Sequence, residues 1–364
     1  MFNKEQIVVK ASTRGTLKEM CHDIFASIKE LNALKITFFG LPESSQEYLV
    51  TNRELHNIVK EYFGSQSPLV SFIAQKSSSS TLIAEVTYLV DTDARITHHS
   101  RYKILERDTT KELITEGIIP ANITASTFEQ AKEIFIAIEN ILTSEGFRIS
   151  DIYRQWNYIE NITITNDGSQ NYQEFNDARS IFYSKAKWSN GYPAATGIGT
   201  SRGGIMIELY AIKGTTATNK PIDNPLQVAA HNYSQNVLEG KAIKELAERT
   251  TPKFERARIL GNTIYISGTA AIKGERSTDS GSTVAQAEQT MQIMNNLISK
   301  ENIPTPCNGA SYDLLRIYIK HEDEIEAVKE YMNAHYPTTP KHYLVSDICR
   351  PELLIEIEGV AHTL

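Results

Sequence analysis

The chain has 364 residues, 41% of them hydrophobic and 22% charged, which allows two or three domains with buried cores and excludes global disorder. With 37 basic and 44 acidic residues the net charge is -7, which argues against a general nucleic-acid-binding surface but leaves room for a local basic pocket around a small anion. No apolar run reaches the ~20 residues of a membrane span, and the first residues carry no apolar leader stretch. Cys21, Cys307 and Cys349 form no Cys-x-x-Cys pair, so the expectation is a soluble cytoplasmic protein with no disulfide scaffold, metal or membrane contact.

In chain order, one pattern occurs three times. Residues 1–92 carry a short strand, Gln6–Lys10, and an amphipathic helix opened by Ser12-Thr13 with Leu17, Met20, Cys21, Ile24, Phe25, Ile28 and Leu31 on one stripe. A strand at Lys35–Gly40, a helix at Val50–Phe63, an entry marked by Pro68 and a closing strand holding Glu85 follow. Lys76 to Ser80 reads as a flexible hairpin loop. Residues 93–214 repeat the order: a hairpin, a helix opened by Ser126-Thr127, a strand at Ile152–Thr163, a helix at Tyr172–Tyr183, Pro193, and a closing strand with Glu208. Residues 215–251 read as an irregular linker.

Residues 252–364 form the third copy. Arg256–Leu260 and Thr263–Gly268 flank Gly261-Asn262 as a hairpin. A helix opened by Ser282-Thr283, a strand at Leu314–Lys320, a helix at Glu324–His335, Pro340 and a closing strand with Glu356 complete it. Ser126 with Glu129, and Thr283 with Gln286, read as capping boxes. Helices on one face of a mixed sheet, repeated three times, predict an α+β fold with the sheets packed about a pseudo-threefold axis, and hence a monomer.

The third copy resembles the RidA/YjgF family, also described as chorismate mutase-like, through Ile266-Ser-Gly-Thr-Ala270, the helix with Gln286, Thr290 and Asn295-Asn296-Leu297, and Ile355 to Val360. The middle copy resembles it through Asn140-Ile-Leu142, Phe175-Asn176 and Pro193 to Thr196. A closer resemblance, from about Arg154 to the C-terminus, is to the chorismatase family. It rests on Arg154-Gln-Trp-Asn-Tyr158, Tyr172 to Arg179, Pro193 to Gly199, Asn224 to Ala230, Tyr233, Phe254-Glu-Arg-Ala257 and Asp347-Ile-Cys-Arg350. The resemblance implies cleavage of the enolpyruvyl ether of chorismate without metal or organic cofactor, releasing pyruvate with 3-hydroxybenzoate or a cyclohexadiene diol acid.

Breaking an enol ether requires a carboxylic acid that stays protonated near neutral pH. Glu356, on the apolar strand Leu353 to Ile357, is the candidate acid. Glu85 and Glu208 stand at the corresponding places, which equally fits a structural glutamate, and Glu358 on the same strand face is the alternative acid. Arg154, Arg179 and Arg316 interrupt apolar stretches, either as carboxylate anchors for the substrate or as salt bridges of the fold. Tyr158, Tyr172 and Tyr233 offer hydroxyls or packing, and Thr196-Gly197 falls where a RidA-like cleft is lined.

By the resemblance, Cys349 points to the 3-hydroxybenzoate-forming group, whereas Ala270 points to the simple hydrolases. Two other readings stand beside chorismate cleavage. RidA-like imine deamination is disfavoured because Tyr343 to Ile348 holds no arginine; the other is non-catalytic small-molecule binding. The glycines 197, 199 and 203 have the wrong spacing for a dinucleotide fingerprint, and His98-His99, adjacent on a strand, cannot easily share a metal.

Overall fold

The computed structural model describes residues 1–166, 168–242, 248–278 and 281–364. The first unit runs β1 (Lys4–Lys10), α1 (Leu17–Ile28), β2 (Asn32–Gly40), α2 (Ser45–Phe63), β3 (Leu69–Ala74), β4 (Lys76–Ser77) and β5 (Ile83–Leu89). Its sheet has the order β1-β5-β2-β3, with β2 and β3 parallel. The second unit begins with β6 (Arg95–His98), β7 (Tyr102–Arg107), β8 (Thr110–Thr115), α3 (Thr127–Ser144) and β9 (Ile152–Glu160). It continues with a small hairpin of β10 (Thr165–Asn166) and β11 (Ser169–Gln170), then α4 (Asn171–Ser184), β12 (Ala194–Thr200) and β13 (Ile205–Lys213). Its sheet has the order β12-β9-β13-β8-β7-β6.

The third unit opens with β14 (Asn219–Ile222), β15 (Ala257–Leu260), β16 (Thr263–Ala270) and a small hairpin of β17 (Ile272–Lys273) and β18 (Arg276–Ser277). It closes with α5 (Thr283–Leu297), β19 (Ala310–Ile319), α6 (Ile325–His335), β20 (Lys341–Val345) and β21 (Ile355–Thr363). Its sheet, β14-β15-β16-β21-β19-β20-β4, ends on a strand from the first unit. The stretch Lys76 to Ser80 is therefore more than a loop: Lys76 and Ser77 pair with Val345 and Leu344, covering an edge that would otherwise leave backbone groups unpaired. The linker likewise supplies β14 to the other edge. Among the described residues no helix is long and apolar enough to cross a membrane.

The helix caps refine the sequence reading. The first helix starts at Thr16, whose side chain forms a reciprocal capping box with Glu19, and not at Ser12-Thr13; Ser12 bonds to Asp23 instead. Ser126 caps α3 as expected. At α5 the cap is Ser282, one residue before Thr283, so N3 is Ala285 and no box can close; Gln286 instead accepts from the Leu354 N–H at 2.8 Å and donates to the Glu352 carbonyl at 3.1 Å.

Each helix pair buries its apolar stripe against the outer face of its own sheet, as Cys21, Ile24 and Phe25 do against Ile36, Phe38 and Val70. The inner faces of the three sheets converge on a shared core that includes Phe39, Trp156, Tyr158 and Tyr318. A ring of buried ion pairs runs through this core. Lys35 on β2 reaches Glu208 on β13 at 2.9 Å, Arg154 on β9 pairs with Glu358 on β21, and Arg316 on β19 reaches Glu85 on β5 at 2.9 Å. Each cation sits on the strand after the first helix of its unit, and each carboxylate on the closing strand of another. The third unit contributes Glu358 to the ring, two residues past Glu356; Glu356 itself keeps the register of Glu85 and Glu208, each standing opposite the residue two beyond the ring cation. Glu358 also accepts from Arg316, the Tyr318 hydroxyl and the Trp156 indole at 2.9, 2.9 and 3.2 Å.

Burial pulls the Lys35 ammonium down, but Glu208 and Tyr210 outweigh it and hold the group above its usual value. Lys35→Met should leave Glu208 charged and unpartnered in the interior. The expected loss is ~3–5 kcal/mol in urea unfolding, with Lys35→Met/Glu208→Leu recovering most of it.

Candidate functional site

A cavity of about 490 Å³ lies between the second and third units. Helix α4 contributes Tyr172 and Asn176, and β12 contributes Gly197. Phe254 and Arg256 lead into β15, Gly268 and Ala270 end β16, and Cys349 and Arg350 come from the loop before β21. The former linker forms the opposite wall with Tyr233, Leu238 and neighbouring residues.

Glu356 reaches this cavity because β16 changes register against β21 between Ile266 and Thr269, which brings Ala270 opposite Glu356. Gly268 lies in that irregular segment. A Cβ there would stand 2.0 Å from Glu356 Oε1, so only glycine leaves room for the carboxyl. Glu356 is 4% exposed, and no described residue hydrogen-bonds or pairs with its carboxyl. Burial, reinforced by the Glu358 charge and opposed by Arg154 and Arg256, pushes its pKa up to about 8. The group is therefore a neutral acid at pH 7, facing a cavity.

Arg256 is 4% exposed and donates to the Val228 carbonyl at 2.6 Å and the Tyr233 hydroxyl at 2.7 Å. Its Nε is buried without a partner, and no described carboxylate pairs with it. Arg179 is similar one layer behind: buried, bonded to Asn176, with Nε unpartnered. Arg350 donates to Ser277 at 3.1 Å and lies 5.5 Å from the centre of the Tyr233 ring. Buried guanidinium groups without counter-ions are costly, and a bound anion would relieve that cost. Tyr172 lies against Gly197, where a Cβ would come within 3.0 Å of the ring. Burial, then the Glu356 charge, raises the Cys349 thiol to about 12, so it stays protonated.

Of the residues singled out from sequence, Glu356, Cys349, Tyr172, Gly197, Tyr233 and Ala270 line the cavity, and Arg179 backs it through Asn176. Cys349 lies in a loop, not on a strand. Arg154, Tyr158, Thr196 and Arg316 do not line it. They belong to the central network: the Thr196 hydroxyl bonds to Glu358 and accepts from Arg154 at 2.9 Å, and the Tyr158 hydroxyl accepts from Arg316 at 2.9 Å. Arg256, Gly268 and Arg350 were not singled out. Their words are visible in the sequence, but the arginines' lack of acidic partners and the closeness of Gly268 to Glu356 are properties of three dimensions. Of the other motifs, Gly197 and Gly199 lie within β12, and His99 stacks on Tyr102 at 4.2 Å. Among the described residues no group of three or more His, Cys, Asp or Glu side chains is placed to hold a metal ion.

The corresponding place between the first and second units is filled. The Gly117 N–H donates to Ser71 at 2.8 Å, as the Gly268 N–H donates to Thr196 at 3.1 Å. Beside Gly117 stands Met206, where Glu356 stands beside Gly268. Phe72, fourth in β3, takes the place of Gly197, fourth in β12, and stacks on Tyr48 at 5.4 Å.

The raised acid has a consequence for folding. A carboxyl whose native value lies above its unfolded value adds stability below the unfolded value, and that stability is lost as pH rises from about 4.5 to about 8. Glu356→Gln cannot titrate. Its stability relative to wild type should therefore increase across this window, by up to about 1.4 kcal/mol per pH unit, and level off above it. Urea midpoints at pH 5, 7 and 9 measure this.

Residues 90–211 match the family model described as "Chorismatase FkbO/Hyg5-like, N-terminal". A 3-hydroxybenzoate synthase from Streptomyces hygroscopicus is 28% identical over 277 residues, covering 74% of this chain and 79% of that protein. A chorismatase from the same organism is 28% identical over 258 residues, covering 67% and 70%. A chorismatase crystal structure superposes with a TM-score of 0.71 at 20% identity, covering 99% of this chain and 98% of that one. A YjgF/YER057c/UK114 family protein from Mycobacterium tuberculosis covers 40% of this chain at 15% identity and a TM-score of 0.27.

Proposed function

We propose that this chain, a relative of the chorismatases in sequence and fold, cleaves the enolpyruvyl ether of chorismate to pyruvate and 3-hydroxybenzoate, with Glu356 as the acid. The observation that carries the reading is a buried, unpartnered carboxyl held near pKa 8, in a cavity whose wall also holds a buried arginine lacking a carboxylate partner. Chorismate is a dicarboxylate, and Arg256, Arg350 and, behind Asn176, Arg179 supply positive charge around the cavity.

In the first step the C=C electrons of the enol ether take the proton from Glu356 at the terminal methylene, leaving an oxocarbenium ion beside the new carboxylate. That carboxylate, freshly ionised in a low-dielectric site, stabilises the cation. Two outcomes then compete. Water can add to the cation, giving a hemiketal that releases pyruvate and the diene diol. Alternatively, the bond between the ring and the ether oxygen breaks, pyruvate departs with that oxygen, the neighbouring ring hydroxyl oxygen is retained and shifts to the vacated carbon, and the ring returns one proton to the Glu356 carboxylate as it aromatises. The atoms of chorismate equal those of pyruvate plus 3-hydroxybenzoate, so this second route consumes no water. Cys349 favours it as a neutral thiol, less hydrated than a hydroxyl, beside the ring. Ala270, directly opposite Glu356, is the contrary influence. The internal threefold arrangement supports a monomeric enzyme.

Glu356→Gln should lower pyruvate release by at least ~10²-fold while leaving the circular dichroism spectrum unchanged. In the wild type, kcat/KM should fall about tenfold per pH unit above about 8, as the acid form is lost. Chromatography of the aromatic product tests the second half of the reading: Cys349→Val should shift the ratio from 3-hydroxybenzoate toward the diene diol. An unchanged ratio would remove Cys349 from product control and leave ether cleavage standing.

A further inference from the structure

Two carboxyls share one strand face in this protein, and the fold treats them in opposite ways. Glu356 and Glu358 are two residues apart on the inner face of β21, about 7 Å along the strand. Glu358 receives Arg154, Arg316, the Thr196 and Tyr318 hydroxyls and the Trp156 indole. Glu356 receives none of them. The groups facing Glu356 are Glu358 on its own strand, Tyr318 opposite it on β19, Arg154 on β9, Arg256 before β15, Tyr172 on α4 and Cys349 in the loop. Of the two cations acting on Glu356, Arg154 is already paired with Glu358 and Arg256 is turned to Val228 and Tyr233.

We propose that Glu358 is the positioning residue for the acid: it draws the arginines of the central ring away from Glu356 and sets a fixed negative charge beside it, so that Glu356 remains an uncharged proton donor. The proposal rests on the reading of Glu356 as the acid. The direction of each group agrees with it. Burial alone would raise Glu358, but Arg316, Arg154 and the Thr196 hydroxyl hold it below the usual carboxylate range, so it stays ionised while its neighbour does not. On this view the ion-pair ring, whose other two members only join units, has a second use in the third unit.

The test compares Glu358→Gln and Arg154→Gln, each followed by the pH dependence of pyruvate release and, without any substrate, by ¹³C NMR titration of the Glu356 carboxyl assigned with Glu356→Gln. In Glu358→Gln the alkaline limb and the carboxyl titration should move together to lower pH, by about one unit or more. In Arg154→Gln, which removes an attraction and leaves Glu358 held by Arg316, both should move to higher pH. Opposite shifts support the proposal. If both variants merely lower the rate with the limb and the titration where the wild type has them, or shift in the same direction, Glu358 is structural only. If Glu358→Gln does not fold, Glu358→Asp decides: its shorter carboxylate loosens the hold on Arg154 and Arg316, so the limb and the titration should move to lower pH, and an unmoved titration overturns the proposal. If the wild type releases no pyruvate, the chorismate reading fails separately, and the NMR titration still decides the coupling of the two carboxyls.

Discussion

The cyclic set of buried ion pairs, Lys35 to Glu208, Arg154 to Glu358 and Arg316 to Glu85, is the constraint on which the rest of the structure depends. A buried pair gains little over well-packed apolar residues, yet a buried charge deprived of its partner is severely penalised. Each unit therefore places a cation against the carboxylate of another, and Arg316 also reaches Glu358 within its own sheet. The ring ties the three sheets together across their shared core through β5, β13 and β21. The candidate cleft lies at one of these junctions, where α4 and β12 of the second unit meet β16 and β21 of the third.

Placing an acid next to such a ring raises a problem of charge. A carboxyl within reach of several arginines would ionise and could not protonate carbon. The fold meets this by a shift of two residues along β21: the ring's carboxylate is Glu358, and Glu356 is left on the cavity side in the space that Gly268 vacates. Side-chain hydrogen bonds that would favour the ionised form are absent from Glu356 among the described residues, whereas Glu358 collects them from three strands. Polar groups a few ångströms apart thus have separate tasks, one holding the molecule together and the other available to a ligand.

Much of this was legible before any coordinates. The 3.6-residue stripes located the helices within a few positions, because an apolar face must be buried whatever it packs on. The threefold repeat and the proline-marked strand entries at Pro68, Pro193 and Pro340 carried the architecture. Ser12 was mistaken for a cap because Thr16 and Glu19, four residues on, compete for the same role and only geometry chooses between them. The arginines were harder. Arg154 and Arg316 interrupt apolar strands just as a ligand-binding arginine would, and sequence cannot say whether a carboxylate from elsewhere in the chain waits for them. Arg256 and Arg350, which line the cavity, sit in irregular segments where no periodicity marks them. Glu356 is legible as a residue and keeps the register of Glu85 and Glu208, but nothing in the hydropathy pattern shows that the ring takes Glu358 in its place.

The filled cleft between the first and second units bears on how the chain tolerates change. In an assembly of identical subunits, one codon sets the same residue in all the clefts at once, so a side chain that suits chemistry must also suit packing. Here equivalent scaffold positions are encoded separately. Gly197 and Glu356 keep one cleft open, while Phe72 and Met206 close its counterpart with well-packed apolar volume. Variation at Phe72 or Met206 therefore acts on folding yield and leaves the chemistry alone. On the proposed function, variation at Gly197 or Glu356 would act on turnover, since both face the open cleft. Two positions related by the internal symmetry thus belong to different selective regimes, and the chain carries one open cleft whose neighbour serves as ballast.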